Sequence, residues 1–207
     1  MKTVRVVTVL CCLLLAGKTF GQKPIQGLRL DIHTGGVFPA NQSLKQGFLS
    51  GFGFSYPFYK NLSFHFNFSL WKSPVERQAG SLWDGDVTVT FFLLSARYAF
   101  FEGKKVIPYM LGGGGIVFTD FNMGDIITIP ELTIRQKVES GLCVYMGGGL
   151  QIRIWRNLAL FSEAFYLYRK AEGKTVFMDM NLGTSEEPLS VNLSSFCLQV
   201  GLRYSLK

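Results

Sequence analysis

Few residues in this 207-residue chain stand out against its apolar pattern as able to do chemistry. They are two histidines, His33 and His65, two carboxylates, Asp31 and Glu163, and four arginines, Arg29, Arg97, Arg153 and Arg203. A histidine beside a carboxylate can serve as a general base, and a serine or water within its reach then becomes a nucleophile. The same residues, once removed from water, also make a structural network, because buried charges must be paired and hydrogen-bonded. Local motifs do not favour catalysis. The run EGKT at 172–175 has the tail of a phosphate loop, but that pattern needs glycine at 168 and finds Tyr168. Asp84-Gly85-Asp86 could hold a divalent ion, although solvated loop charge accounts for it more simply. No catalytic, cofactor-binding or metal-ligating set is assigned.

The elements that carry these residues share one pattern. In GFGFSYPFYKNLSFHFNFSL, residues 51–70, every second residue is aromatic or aliphatic and those between are small or polar. Such period-2 alternation signals half-buried strands. It recurs in eight segments, at about 27–37, 47–58, 62–72, 87–100, 106–118, 141–154, 158–168 and 191–206. The charged and histidine residues fall on the polar side of each alternation. One segment is less clean, because Phe161, Phe165 and Leu167 share the face of Glu163. The glycine runs Gly112–Gly115 and Gly147–Gly149 lie within strands, where glycine marks a bend or a close backbone approach.

The connections alternate too. Those at 59–61, 101–105 and 155–157 are short, and those at about 38–46, 73–86, 119–140 and 169–190 are long. Apart from Asp31, Glu163 and Glu102, every acidic residue falls in a long connection. An up-and-down barrel with tight turns at one rim and longer loops at the other requires this arrangement.

The N-terminus, MKTVRVVTVLCCLLLAGKTFG, has Lys2 and Arg5, an apolar run from Val6 to Ala16, and small residues at Thr19 and Gly21. This is the layout of a secretory signal peptide over 1–21, cleaved before Gln22, and the run is too short to span a membrane as a helix. Residues 22–207 then form one domain. Losing Lys2, Arg5 and Lys18 takes the formal charge from +7 to +4, which calls for no nucleic-acid partner. Cys143 and Cys197 lie two strands apart in the expected order, beyond the reach of a disulfide, and are read as free thiols.

Alternation alone does not say which face is inside. Eight strands leave an interior that side chains just fill. Packing Phe52, Phe54, Phe64, Phe66, Phe68, Phe92 and Phe100 within it would be crowded, whereas the Gly, Ser, His, Asn and Arg face suits a polar lumen. Tyr56, Phe58, Tyr98, Phe100, Tyr109, Trp155 and Tyr204 cluster beside the short turns and termini, as an interfacial girdle would. The expected fold is all-β, an eight-stranded antiparallel up-and-down transmembrane β-barrel. Within its lumen, Arg203 is expected to reach Asp31, and Glu163 to meet Arg153.

The segments WRNLALFSEAFYLY (155–168) and QVGLRYSLK (199–207), with the leader ending TFG, carry a resemblance to the small eight-stranded outer-membrane barrels. These are the barrels like OmpX and the membrane domain of OmpA, and the barrel-only proteins of Bacteroidetes-type bacteria. The resemblance implies an integral outer-membrane protein without enzymatic activity, surrounded by outer-membrane lipid and lipopolysaccharide, with outer loops as an interaction surface. It implies that Gln199, Gly201, Tyr204 and Leu206 form the terminal-strand signal read by the barrel-assembly machinery. Lys207 stands where many relatives end in an aromatic. Three other readings stay open: a lipid A-modifying enzyme, a PorT-like barrel serving secretion or gliding, and a soluble lipid-binding barrel. The deacylase barrels carry a His-x-Ser pair, which neither His33-Thr34-Gly35 nor His65-Phe66-Asn67 supplies.

Overall fold

The computed structural model describes residues 27–41, 44–74, 85–101, 103–123, 132–179 and 183–206. The leader, the Asp84 of the Asp-Gly-Asp motif, Glu102 and Lys207 lie outside them. Eleven strands follow in order: β1 Arg29–Pro39, β2 Gly47–Tyr59, β3 Leu62–Pro74, β4 Gly85–Ala99, β5 Val106–Met123, β6 Leu132–Val138, β7 Gly141–Arg153, β8 Leu158–Tyr168, β9 Lys170–Asp179, β10 Gly183–Asn192 and β11 Ser195–Ser205. Eight of them close a barrel in the order β1-β11-β8-β7-β5-β4-β3-β2, every pair antiparallel.

Alternating side chains set the register, since a slip of one residue would turn each strand inside out. The opening hairpin shows the outer contacts that result. Phe52 lies opposite Phe68 with ring centroids 5.1 Å apart, and Phe54 opposite Phe66 at 4.9 Å. Phe58 stacks on Phe64 at 4.3 Å beside the turn, where Lys60 takes a positive φ of 21°. Cross-strand aromatic pairs of this kind each contribute roughly 0.2–1 kcal/mol.

Exposure decides the inside–outside question. Leu142 is 81% and Met146 70% exposed, while Asp31 and Arg203 are 2% and 1% exposed. Exposed aliphatic and aromatic residues from all eight barrel strands form one outward apolar band. Water does not tolerate a continuous surface of that kind, but lipid does. A soluble barrel holding a lipid inside requires the opposite facing.

The lumen differs from the expected polar interior in one respect. Inward positions near the short turns mix the polar network with Ala99, Ile107, Ala159 and Phe161, but toward the long connections they become largely apolar: Val37, Leu49, Trp71, Val89, Phe91, Leu93 and Leu167 are all buried. Trp71 stacks on Phe91 at 6.1 Å with the rings 8° from parallel. Phe161 and Phe165, the residues that spoiled the alternation of β8, point inward with Glu163.

The two longest connections are also more ordered than the alternation indicated. β6, β9 and β10 form a separate three-stranded sheet in the order β10-β9-β6. Their sequences offer no sustained aliphatic stripe: KAEGKTVFMD alternates Lys170, Glu172 and Lys174 with Ala171, Gly173 and Thr175 before Val176-Phe177-Met178, and GTSEEPLSVN carries Glu186, Glu187 and Pro188. Arg169, buried where β8 passes into β9, ties this sheet to the barrel. Its guanidinium donates to the Val117 carbonyl at 2.9 Å and to the carbonyls of Gly141 and Glu139. Cys143 and Cys197 are buried free thiols on β7 and β11, with β8 between them.

Candidate functional site

The polar residues converge in the half of the lumen nearest the short turns. Asp31 on β1 and Arg203 on β11 are register partners, so their inward side chains meet directly. The contact is bidentate, with Nε to Oδ1 at 2.6 Å and Nη2 to Oδ2 at 2.8 Å. His65 Nε2 of β3 lies 3.0 Å from the same Oδ2, although β2 runs between β1 and β3. The reach is possible because β2 presents glycine there. A Cβ on Gly53 would stand 3.1 Å from His65 Nε2, and one on Gly51 would stand 2.6 Å from His33 Nε2. His33 Nε2 in turn contacts Ser69 Oγ at 2.9 Å, again from β1 to β3.

The other wall repeats the device. Gly149 of β7 separates Tyr109 of β5 from Glu163 of β8, and its Cβ would fall 2.7 Å from the Tyr109 hydroxyl oxygen. That hydroxyl donates to Glu163 Oε2 at 3.0 Å, and Gln199 Nε2 donates to Oε1 at 2.9 Å. Between the two walls, Gln151 Oε1 accepts from Arg97 Nη2 and from Arg203 Nη1, both at 2.8 Å. The Arg97 guanidinium lies 3.7 Å from the centroid of the Tyr109 ring, and that of Arg203 lies 4.9 Å from that of Phe161. Asp31 and Glu163 balance Arg97 and Arg203 in number, so this buried set is neutral overall when both histidines are neutral. Asp31 and Arg203 pair directly, whereas Glu163 is held by Tyr109 and Gln199, and Arg97 by Gln151 and the Tyr109 ring.

Two expected members lie elsewhere. Arg153 is exposed and Arg29 half-buried at the short-turn mouth, where both line a small cavity with Arg97, Arg156 and Asn157. The expected contact of Glu163 with Arg153 is not made. In register Glu163 lies opposite Gly149, and Arg153 lies opposite Ala159, four residues nearer the mouth. At about 3.4 Å per residue that is too far to bridge. Of the terminal-strand residues, Gln199 is buried on Glu163, while Tyr204 and Leu206 face outward. A Cβ on Gly201 would meet the Ile32 carbonyl at 2.3 Å and the Phe161 ring at 2.6 Å.

Ser69, Asn67 and Gln151 complete the network and did not stand out as site residues; only their inward parity marks them. Tyr109, expected in the outer aromatic girdle, is instead buried in the lumen, where its ring lies under Arg97 and its hydroxyl meets Glu163. The Ser69–His33 contact has the residue types of a nucleophile and its base. Its hydrogen bonding runs the other way: Ser69 Oγ donates to Asn67 Oδ1 at 2.5 Å, which leaves it to accept from the His33 N–H. Among the described residues no group of acidic, histidine or cysteine side chains could hold a metal ion.

The chain resembles three solved structures in particular. It matches the outer membrane protein OprG from Pseudomonas aeruginosa with a TM-score of 0.70 at 13% identity, over 87% of this chain and 96% of that one. Neisserial surface protein A gives a TM-score of 0.56 at 15% identity, over 88% and 98% of the two chains. The outer membrane protein AlkL gives 0.55 at 18%, over 90% and 93%. The fold is that of the small outer-membrane β-barrels. No family model matches the sequence, and no curated protein does. At these identities the likeness speaks for architecture alone, and the outward apolar band and inward charge network agree with it independently.

Proposed function

We propose that this barrel is an integral, non-enzymatic protein of a bacterial outer membrane, with a closed lumen and an outer sheet that acts as an interaction surface. One observation carries the reading: the lumen's histidines and carboxylates are buried and hydrogen-bonded to other lumen side chains, while the two longest connections form a separate charged three-stranded sheet. The membrane placement draws on the lipid-facing band and on the fold shared with OprG and neisserial surface protein A. On this reading the short turns face the periplasm and the long connections face outward. The exposed edge of the outer sheet bears Glu186 and Glu187, with Lys174 on the adjacent strand 2.9 Å from Glu186. Hydrogen bonding to Glu186 raises the Lys174 ammonium above its ordinary pKa.

The test is expression of the precursor in a Gram-negative host, followed by electrophoresis of isolated outer membranes with and without boiling. A membrane-resident band that shifts on heating is expected; a soluble band without a shift would refute the reading. The same membranes, supplied with labelled lipopolysaccharide, should release no fatty acid. Release abolished by His33→Ala would instead favour a lipid-modifying enzyme.

A further inference from the structure

We infer that the short-turn mouth of the barrel is a binding site for a phosphate group. This rests on the barrel reading above, which places that mouth at the periplasmic leaflet.

The mouth holds a cavity of about 60 Å³, lined by Arg29, Arg97, Arg153 and Arg156, with Asn157 and Trp155 at its edge. At roughly 10–15 Å³ per water this is space for a few waters, enough to admit one tetrahedral oxyanion. Among the described residues, no carboxylate lines it. Farther in, Asp31 and Glu163 are already engaged by Arg203, His65, Tyr109 and Gln199. Neither has an oxygen directed at the mouth by any of those contacts, so the lumen's negative charge is spent deeper in the barrel.

The inner wall of the cavity is short of acceptors. Arg97 is 2% exposed, and its Nε has no hydrogen-bond partner. Its Nη2 shares the single Gln151 oxygen with Arg203, so two guanidinium groups meet on one neutral acceptor. A buried donor without a partner is costly, and a like-charged pair on one amide is poorly compensated. An oxyanion in the cavity would relieve both. Guanidinium forks match phosphate oxygens in pairs, which distinguishes this cluster from a rim of lysines.

The surrounding rim fixes the depth. Trp155 is 68% exposed beside the cavity, and Tyr98, Phe100 and Tyr204 are exposed on neighbouring strands. Tryptophan and tyrosine settle at the headgroup level of a membrane. A phosphate in the cavity would therefore lie level with the headgroups, and could belong to a phospholipid or be free inorganic phosphate.

The test uses the folded protein in detergent, stripped of lipid, with two probes. Radiolabelled inorganic phosphate is followed by equilibrium dialysis, and short-chain phosphatidylglycerol by native mass spectrometry. One bound phosphate group per barrel is expected. Retention of phosphatidylglycerol alone assigns the site to a headgroup, and retention of inorganic phosphate assigns it to the free ion. Substituting Arg29→Gln, Arg153→Gln and Arg156→Gln together should weaken binding roughly tenfold or more. Arg156→Gln alone, in an exposed turn, should weaken it several-fold. The matched change Lys60→Gln, Lys104→Gln and Lys105→Gln, which removes equal charge from the neighbouring turns, should leave it intact. Binding of neither probe, or equal loss in the lysine variant, would overturn the inference. The heat shift on gels, read for every variant, separates that result from failure of the barrel itself.

Discussion

Asp31 and Arg203 face each other across the seam where the first barrel strand closes on the last, joined by two parallel contacts of 2.6 and 2.8 Å. The pair joins residues from opposite ends of the chain, so it forms only when the barrel shuts. Asp31→Asn would leave the Arg203 guanidinium buried beside a neutral amide. A loss of about 3–5 kcal/mol is expected, as for other broken buried pairs. Urea unfolding in lipid vesicles measures it. The double variant Asp31→Asn, Arg203→Gln should lose clearly less than the sum of the two single changes, because neither charge is then stranded.

Gly149 is expected to be intolerant of even one methyl group. Its Cβ would lie 2.7 Å from the Tyr109 hydroxyl and 2.3 Å from the Ser162 carbonyl. Gly149→Ala should therefore displace the Tyr109–Glu163 hydrogen bond and cost about 1–3 kcal/mol, the usual range for overpacking. Tyr109→Phe separates the two effects, since it removes the hydrogen bond without the clash. If Gly149→Ala unfolds no more readily than Tyr109→Phe in the same urea series, the steric account is wrong.

Trp71 is the largest fully buried side chain of the apolar half of the lumen. Trp71→Ala should destabilise the barrel by about 3–5 kcal/mol. It should also open space above the polar network. Planar-bilayer recording is expected to show no steady conductance for the parent protein and small, frequent openings for Trp71→Ala combined with Phe91→Ala. Steady conductance in the parent would contradict the closed lumen.

Arg169 holds three carbonyls at the junction of the barrel with the outer sheet. Arg169→Gln should loosen that sheet while sparing the barrel. The expected signature is faster proteolysis within β6, β9 and β10 with an unchanged heat shift. Loss of the heat shift would mean that the junction supports the barrel as well.

Much of this was legible in the sequence because lipid on one side and a narrow lumen on the other impose a strict two-residue period. That period located all eight barrel strands, most within two residues of their observed ends. It put Asp31, His33, His65, Arg97, Glu163 and Arg203 on the inward face, and a closing seam between first and last strands was enough to bring Arg203 to Asp31. The period was silent about β6, β9 and β10, because strands beyond the bilayer have water on one or both sides and need no aliphatic stripe. The apolar upper lumen was hidden as well: Trp71, Val89 and Phe91 share the inward parity, yet as single residues they read like lipid-facing ones.

What only the tertiary structure decided is which inward residues meet. Pairing follows the stagger between strands, and stagger is a property of the closed sheet rather than of any one strand. That is why Glu163 meets Tyr109 and Gln199 instead of Arg153, and why Arg29 and Arg153 gather at the mouth rather than in the lumen. The glycines at 51, 53 and 149 look alike as residues within strands. Only once the barrel closes do they become the gaps through which side chains of non-adjacent strands touch.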